Sequence, residues 1–494
     1  MKPNSPLKTF ALIGAFLAAG TSGLAQVQSS GDLEQLRSAV QSMEQTIREL
    51  NRRIADLERQ PKAAPPPVQP VGPEPAAPGA PQPTPPGADV TPKAPAPPSD
   101  LSDGTTQIPY HDTVKEEDLS APRPGNAPLD PSYQGFMQLL GTKTWVKLGG
   151  YAKLDAIVDS TRMGNPNMFI TARIPVEGEA DYDKGEHFAM HAKQTRLNLE
   201  LRSPTRLGAL KIYYENDFFG NSTEPSMDYR LRHCYGQLAN LTVGQTWTTF
   251  YDPDANPDTL DFEGPGVLPV LRQPELRYTL PIQKQAMYAA FAIEQPKSDL
   301  SNLPAGAEGR NTMPDFAGHW RWEGKPGHVQ LGGVLRSLSY DNNAGPDDSA
   351  LGWGVNCSGA LKTFGADSLI ASLSYGEGIG RYIQDLPTGS AGVVDASGDL
   401  HLLTAWGAMV GYRHQWSERW RSTLSYGYVQ LDNRADQGAF AYDQTHYAQA
   451  NLVWMPTRHF YVGLEYLYGV KEARNGNSGD DHRLQISMQY KLIR

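Results

Sequence analysis

Arginine residues recur between apolar neighbours in the C-terminal part of this 494-residue chain. Arginine keeps its positive charge, and its planar fork of donors suits carboxylates and phosphates. A row of arginines in a narrow, low-dielectric passage would concentrate anions and let them pass from site to site. The pattern selects seven basic candidates for such a permeation site: Lys153, Arg196, Arg202, Arg230, Arg232, Arg272 and Arg277.

One acidic segment, Tyr251 to Glu263, interrupts this part of the chain. Its carboxylates belong to Asp252, Asp254, Asp258, Asp261 and Glu263. They could fix some arginines and screen others, so that a passing anion is not held permanently. It stays open whether each arginine instead pairs with a carboxylate and only stabilises the fold. The four aspartates could also bind Ca²⁺, but they lack the 12-residue EF-hand spacing and prolines interrupt them. No metal or other cofactor is predicted.

Strands must position these residues, because apolar and polar residues alternate from Trp145 onwards. Sixteen candidate strands begin near residues 145, 193, 208, 229, 241, 272, 285, 315, 328, 349, 368, 401, 420, 445, 460 and 482. Seven short and eight long connections strictly alternate between them. That arrangement is typical of an outer-membrane barrel with short periplasmic turns. A soluble β-sandwich would favour shorter strands and would not need this asymmetry. The sequence therefore predicts an all-β fold, a 16-stranded antiparallel transmembrane β-barrel over residues 141–494.

Composition excludes several other classes. Lys and Arg number 44 against 54 Asp and Glu, and this net charge of −10 argues against a nucleic-acid binder. No apolar run of about 18 residues follows the first two dozen positions, which excludes a helical membrane protein.

Cys234 continues the face of Arg230 and Arg232, whereas Cys357 continues an apolar face. The two cysteines should therefore point to opposite sides of the sheet, and no disulfide is predicted.

Four segments precede the barrel. Residues 1–25 have the basic start, apolar middle and small-residue cleavage site of a secretory signal peptide. Residues 31–60 predict a coiled coil, since apolar residues repeat in heptads over Leu33, Leu36, Val40, Met43, Ile47, Leu50, Ile54 and Leu57. β-Branched residues at position a of the heptads favour a dimer. The sequence of residues 53–58, in contrast, resembles an Arg-to-Glu pattern that favours trimeric coiled coils. Residues 61–98 hold 16 prolines and predict an extended linker. Residues 99–140 predict a polar, poorly ordered connector.

The barrel region resembles the DcaP-like family of outer-membrane porins. The resemblance lies in Gly141 to Asp155, Gln194 to Asn198, Gly244 to Phe250 and Arg272 to Tyr278, and in the order of segments. It implies a homotrimer with a periplasmic coiled coil, a third outer loop folded into the pore, and uptake of small anions such as aromatic or aliphatic dicarboxylates. The chain departs from common outer-membrane barrels at its end, because its last residue is arginine rather than an aromatic residue.

The predicted function is passive diffusion of small anionic solutes through an arginine-lined lumen. The predicted partners are outer-membrane lipid and lipopolysaccharide, two further copies of the chain and the solutes. An alternative is a structural anchor that ties the barrel to the cell wall through the coiled coil and linker. An enzyme is not predicted, since no G-x-S-x-G nucleophile motif is found.

Overall fold

The computed structural model of the protein describes residues 136–283, 286–342 and 347–492. The predicted signal peptide, coiled coil, proline-rich linker and most of the connector lie outside the described residues. Sixteen long strands are numbered here in chain order. They are β1 Trp145–Asp159, β2 Arg196–Thr205, β3 Gly208–Asp217, β4 Arg230–Leu238, β5 Leu241–Trp247, β6 Arg272–Gln283, β7 Met287–Glu294, β8 Asp315–Gly324, β9 Gly327–Asp341, β10 Asp348–Lys362, β11 Ser368–Glu377, β12 Thr404–Ser417, β13 Trp420–Leu431, β14 Tyr442–Thr457, β15 Phe460–Ala473 and β16 Ser478–Lys491.

These strands form a closed antiparallel barrel. Each strand pairs with the next along the chain, and β1 pairs with β16 from Tyr151↔Lys491 to Asp159↔Arg483. Closure satisfies the backbone groups of every strand and removes the sheet edges, as a membrane requires of a spanning sheet. The predicted strand count is confirmed. The largest difference in a predicted start is at β16, which begins at Ser478 rather than near residue 482.

Alternation gives the wall two chemically different faces. In β11, Leu369, Leu373 and Tyr375 are exposed on the outer face, whereas Ser372 and Ser374 are buried inside the barrel. An apolar outer face and a polar inner face are what a membrane barrel needs. Tryptophans near strand ends also stand on the outer face, with exposed fractions of 64% for Trp416, 40% for Trp420 and 39% for Trp454.

A bulge between β3 and β4 reverses one predicted orientation. His233 pairs with Glu215 and Leu231 pairs with Asn216, so Arg232 is an extra residue without a register partner. Arg232 and His233 are consequently both buried inside, and Cys234 is exposed on the outer face. The prediction that Cys234 shares the face of Arg232 is therefore wrong, because a bulge shifts the alternation by one residue. Both cysteines are free.

Several short elements belong to the connections. His187–His191 pairs with the second half of β1, Met137–Gln138 pairs with the first half of β1, and Glu308–Arg310 pairs with β9. Leu300–Ser301, Gly392–Val394 and Leu400–Leu402 form a small separate sheet. Single 3-10 turns occupy Thr171–Arg173, Pro253–Ala255 and Gly380–Tyr382. Within the described residues, no helix has the length and apolar character needed to cross a membrane.

Three long connections fold inward and pack on one another; they are called L1 (residues 160–195), L3 (residues 248–271) and L6 (residues 378–403). The L3 residues Phe250, Ala255 and Leu260 are completely buried. The backbone N–H of Asp385 in L6 donates to the carbonyl of Gly266 in L3 at 2.9 Å. The Asp385 carboxylate in turn accepts from the N–H of Ala172 in L1 at 3.0 Å. L3 therefore lies inside the barrel, as the resemblance implies.

Candidate permeation site

The first half of L3 is fixed to the wall by its acidic residues. Arg321 of β8 donates from Nη1 to Asp252 at 2.6 Å and from Nη2 to Asp254 at 2.5 Å. Nε2 of His328 in β9 lies 2.9 Å from the Asp252 carboxylate, and the Ser358 hydroxyl donates to it at 3.0 Å. Burial opposes ionisation of Asp252, but the charges of His328 and Arg321 outweigh it and hold the pKa of Asp252 below its ordinary value.

The second half of L3 is fixed in the same way, further round the barrel. Arg421 of β13 donates to Asp258 at 2.5 Å, and Arg483 of β16 donates to Asp261 at 3.2 Å. The Glu465 carboxylate of β15 accepts two backbone N–H groups of L3, at 2.8 and 2.7 Å. The Lys153 ammonium donates to a carbonyl of L3, that of Leu260, at 2.6 Å. The part of the wall that makes these contacts is formed by β8–β10, β13, β15, β16 and β1. We call it the anchoring side.

This arrangement does not fit the calcium alternative. The four L3 aspartates bond to three different arginines along the wall rather than converging on one point. Asp252, Asp254 and His328 do offer ligand atoms within 4.8 Å of one another. Both carboxylates, however, already accept hydrogen bonds from Arg321. L3 therefore uses its acids as anchors.

Four arginines gather on the opposite wall, where β2, β4 and the start of β6 meet L3. We call Arg196, Arg230, Arg232 and Arg272 the arginine cluster. Two carboxylates of β3 lie between them. Arg230 donates to both oxygens of Asp217, at 2.8 and 2.6 Å. Arg232 donates to Glu215 at 2.6 Å and to Asp217 at 3.2 Å, whereas Arg196 lies 3.8 Å from Glu215. Among these six side chains, four positive charges thus face two negative ones, which leaves an excess of +2 within the group.

Arg272 is the member of the cluster that pairs with neither Glu215 nor Asp217. Its guanidinium lies 4.4 Å from the ring centroid of Trp247, a cation–π distance. Its Nη1 is buried and has no hydrogen-bond partner among the described residues. The positive charges of Arg232, Arg230 and Arg196 act on it, and the negative charge of Asp217 opposes them. Arg272 therefore offers a donor that an anionic solute would satisfy.

One aromatic residue of L3 covers the cluster. The Phe262 ring centroid lies 5.0 Å from the guanidinium of Arg230, 5.6 Å from that of Arg232 and 5.9 Å from that of Arg196. The Phe219 ring packs against Phe262 with centroids 4.5 Å apart. An aromatic ring attracts cations to its face, and the Phe262 ring also shields the guanidinium groups from water. Phe262 therefore helps to hold three arginines in fixed positions.

A narrow space lies between the cluster wall and L3. It is lined from the wall by Tyr151, Arg196, Arg232, Trp247 and Arg272, from L1 by Gln194, and from L3 by Tyr251, Asn256, Thr259, Asp261, Phe262 and Glu263. Burial and the negative charges of Asp261 and Asp385 raise the pKa of Glu263 to about 8, against the opposing effects of Arg230 and Gln384. Glu263 is therefore mainly uncharged at neutral pH.

Three of the predicted permeation residues lie apart from the cluster. Arg202 pairs with Glu200, and its guanidinium lies 5.8 Å from the Phe136 ring at the short-turn end. Arg277 bonds to Glu275 at 2.9 Å and to the Thr249 hydroxyl at 2.8 Å, which fixes the start of L3. Lys153 belongs to the anchoring side.

Sequence reasoning did not select Arg421, Arg483 or Phe262. The alternation of β16 could have revealed Arg483, since it precedes the outward-facing Leu484 and is completely buried. Arg421 follows the outward-facing Trp420 in the same manner. Phe262 carries no signal in the sequence, because its importance depends on how L3 folds back on the wall.

Comparisons with known proteins agree with this geometry. The model of the DcaP outer membrane protein family matches residues 138–492. No curated protein matches this sequence. The crystal structure of the outer membrane channel DcaP of Acinetobacter baumannii superposes with a TM-score of 0.65 at 23% identity, covering 73% of this chain and all of that one. An anion-selective porin from Comamonas acidovorans is similar with a TM-score of 0.45 at 11% identity, over 71% of this chain and 100% of that one.

The DcaP channel of Acinetobacter baumannii shares the barrel fold, and the family model spans nearly the whole barrel. The chain is therefore a member of the DcaP outer membrane protein family, and its barrel is that of an outer-membrane porin.

Proposed function

We propose that this protein lets small anionic solutes diffuse through its barrel, and that the arginine cluster selects them. The observation that carries the proposal is the excess positive charge of the cluster. The four aspartates of L3 do not pair with the cluster, because each of them is bonded to an arginine of the anchoring side. A solute in the narrow space would thus meet guanidinium donors on one side and an anchored loop on the other.

The chemistry of guanidinium edges favours carboxylates. Phe262 and Trp247 cover faces of the clustered guanidiniums, so hydrogen bonding is left to the planar edges. Such an edge binds a carboxylate through two parallel hydrogen bonds. A dicarboxylate could engage two arginines in turn while it advances, which fits stepwise transfer between sites. Glu215 and Asp217 keep Arg196, Arg230 and Arg232 partly neutralised, so the solute is released rather than trapped.

Membership of the family and the heptads of residues 31–60 support a homotrimer, with the coiled coil and linker in the periplasm and the short turns facing it. On this proposal the coiled coil joins three barrels, and each barrel keeps its own pore. The anchor alternative would need a cell-wall contact by residues 26–130. Deletion of those residues should leave the conductance of each pore unchanged if transport is the primary function.

Single-channel recording of the purified full-length protein under a KCl gradient tests the proposal. The reversal potential should show preference for Cl⁻ over K⁺. Succinate or phthalate should block the current in three equal steps, as expected for three pores. Preference for cations without block by either dicarboxylate would refute the proposed selectivity, and absence of conductance would favour the anchor.

A further inference from the structure

A groove on the outer wall points to a lipid-binding site at the short-turn ends of β12–β14. It is lined by Trp416, Ser417, Trp420, Ser422 and Leu452. Trp416 is 64% exposed, which is the largest exposed fraction of any tryptophan among the described residues. A soluble environment would not favour such exposure, whereas indoles are enriched where a membrane meets water.

The walls of the groove are held in place. The Trp416 indole N–H donates to the Ser422 hydroxyl at 2.9 Å, and the His414 ring meets Trp416 edge-on at 4.2 Å between centroids. On the other side, Trp420 stacks on Trp454 with centroids 5.9 Å apart and planes inclined by 21°. Two exposed aromatic surfaces are thus fixed in the part of the wall that contains Leu452.

Irregular pairing opens the groove at this place. The register of β12 with β13 shifts between Gln415 and Ser417, and that of β14 with β15 shifts between Trp454 and Thr457. Bulges twist and bend a strand locally. Here they lie at the end of the strands that carry the three tryptophans, so that the side chains stand apart.

Basic residues adjoin the groove at the ends of the hairpins. Arg419 and Arg458 are exposed at the turns β12–β13 and β14–β15, and neither forms an ion pair with a described residue. The carbonyl of Arg419 accepts from the N–H of Met455, which brings the first turn beside the end of β14. Glu418 is the exposed acid of the same turn.

Basic side chains are also found elsewhere along this end of the barrel. Arg206 and Lys325 are exposed in two other short turns, and Lys362 is partly exposed at the end of β10. Asp367 is buried there and accepts hydrogen bonds from Tyr412 and from the Gln415 N–H. Anionic headgroups attract such a basic rim.

We propose that the groove binds an anionic glycerophospholipid of the periplasmic leaflet, with phosphatidylglycerol as the representative ligand. One acyl chain would lie between Trp416 and the Trp420–Trp454 pair, above Leu452. The phosphate would lie among Arg419, Arg458 and the Ser417 hydroxyl. Charge complementarity favours this ligand over a zwitterionic phosphatidylcholine, which carries no net charge.

Native mass spectrometry of the full-length protein in detergent micelles tests the site. Synthetic phosphatidylglycerol or phosphatidylcholine would be titrated against wild type, the double variant Arg419→Gln/Arg458→Gln, Trp416→Ala and the matched control Arg206→Gln. The control removes one turn arginine on the other side of the barrel, away from the groove. Heat-modifiable migration on a gel verifies that each barrel is folded.

Wild type should bind phosphatidylglycerol more tightly than phosphatidylcholine. The double variant should lose affinity about 30-fold, since each basic residue near a membrane surface contributes about 1 kcal/mol and 1.4 kcal/mol corresponds to a factor of ten. Trp416→Ala should weaken the binding of both lipids, whereas Arg206→Gln, outside the groove, should lower the affinity for phosphatidylglycerol far less than the double variant does. Equal affinity for the two lipids, or an equal loss in Arg206→Gln, would overturn the site. A changed oligomeric mass in the double variant would show a protein interface instead. None of these outcomes depends on solute selectivity, which lies inside the barrel.

Discussion

Arg321 and Arg232 are both almost completely buried inside the barrel, but the charge around them differs. Arg321 contacts three carboxylates, those of Asp252, Asp254 and Glu323. Arg232 shares two carboxylates with Arg196 and Arg230. The same residue type therefore fastens L3 on one wall, whereas on the other wall it outnumbers the carboxylates beside it, as the proposed selectivity requires. The number of acids per arginine distinguishes these roles, and burial does not.

The largest effect should follow from removing an anchor. Arg321→Ala would leave two buried carboxylates of L3 without their main partner, and breaking a buried pair typically costs about 3–5 kcal/mol. We expect a lower temperature of unfolding in a heat-modifiability assay, and a larger, noisier single-channel current because L3 is released. Arg310→Ala is the control, since Arg310 forms an exposed ion pair with Asp341 at 3.5 Å. Exposed pairs contribute about 0–1 kcal/mol. Equal loss of stability in both variants would contradict the anchoring role.

A smaller and more selective effect should follow from changing the cluster. Arg272→Gln removes a charge that no acid neutralises directly, so the excess falls from +2 to +1. We expect the reversal potential in a KCl gradient to shift towards that of a non-selective pore, with little change in stability. Arg202→Gln provides a control, because Arg202 already pairs with Glu200 away from the narrow space. If the two variants shift the reversal potential equally, the selectivity does not reside in the cluster.

The difference between the two walls also explains what the sequence could reveal. Period-two alternation reflects which side of a strand a residue faces, so the barrel, its strand number and most inward arginines could be predicted. The bulge that places Arg232 and His233 on the same side carries no comparable signal. Pairing of Asp258 with Arg421 joins residues 163 positions apart. Such contacts depend on how L3 folds back, which alternation does not encode.

The aromatic cover of the cluster should matter less than its charge. Phe262→Ala removes three cation–π contacts, each worth about 0.5–1 kcal/mol at exposed sites and more when water is excluded. The arginines would then move more freely in a wider space. We expect conductance to rise and dicarboxylate block to weaken, while Cl⁻ remains preferred. Phe262→Leu keeps most of the bulk but removes the ring, so it separates the two causes. A loss of Cl⁻ preference in Phe262→Ala would mean that the ring and not the charge sets selectivity.

The smallest effect should be a dependence of selectivity on pH. The pKa of Glu263 is raised to about 8, so this carboxyl is mostly neutral below that value and ionised above it. Its negative charge would then offset part of the +2 excess, because Glu263 lines the same narrow space as Arg196, Arg232 and Arg272. Preference for Cl⁻ should therefore decline as pH rises from about 6.5 to 9, while the arginines stay charged.

Glu263→Gln should keep the low-pH selectivity throughout this range, since the amide cannot ionise. Glu308→Gln changes an exposed acid of another outer connection and should leave the pH dependence intact. Reversal potentials recorded at each pH under one salt gradient would distinguish the two. If the pH dependence persists in Glu263→Gln, a group other than Glu263 causes it. A Cl⁻ preference that rises with pH in wild type would contradict the direction derived from Glu263, because ionisation of an acid can only reduce the positive excess of the cluster.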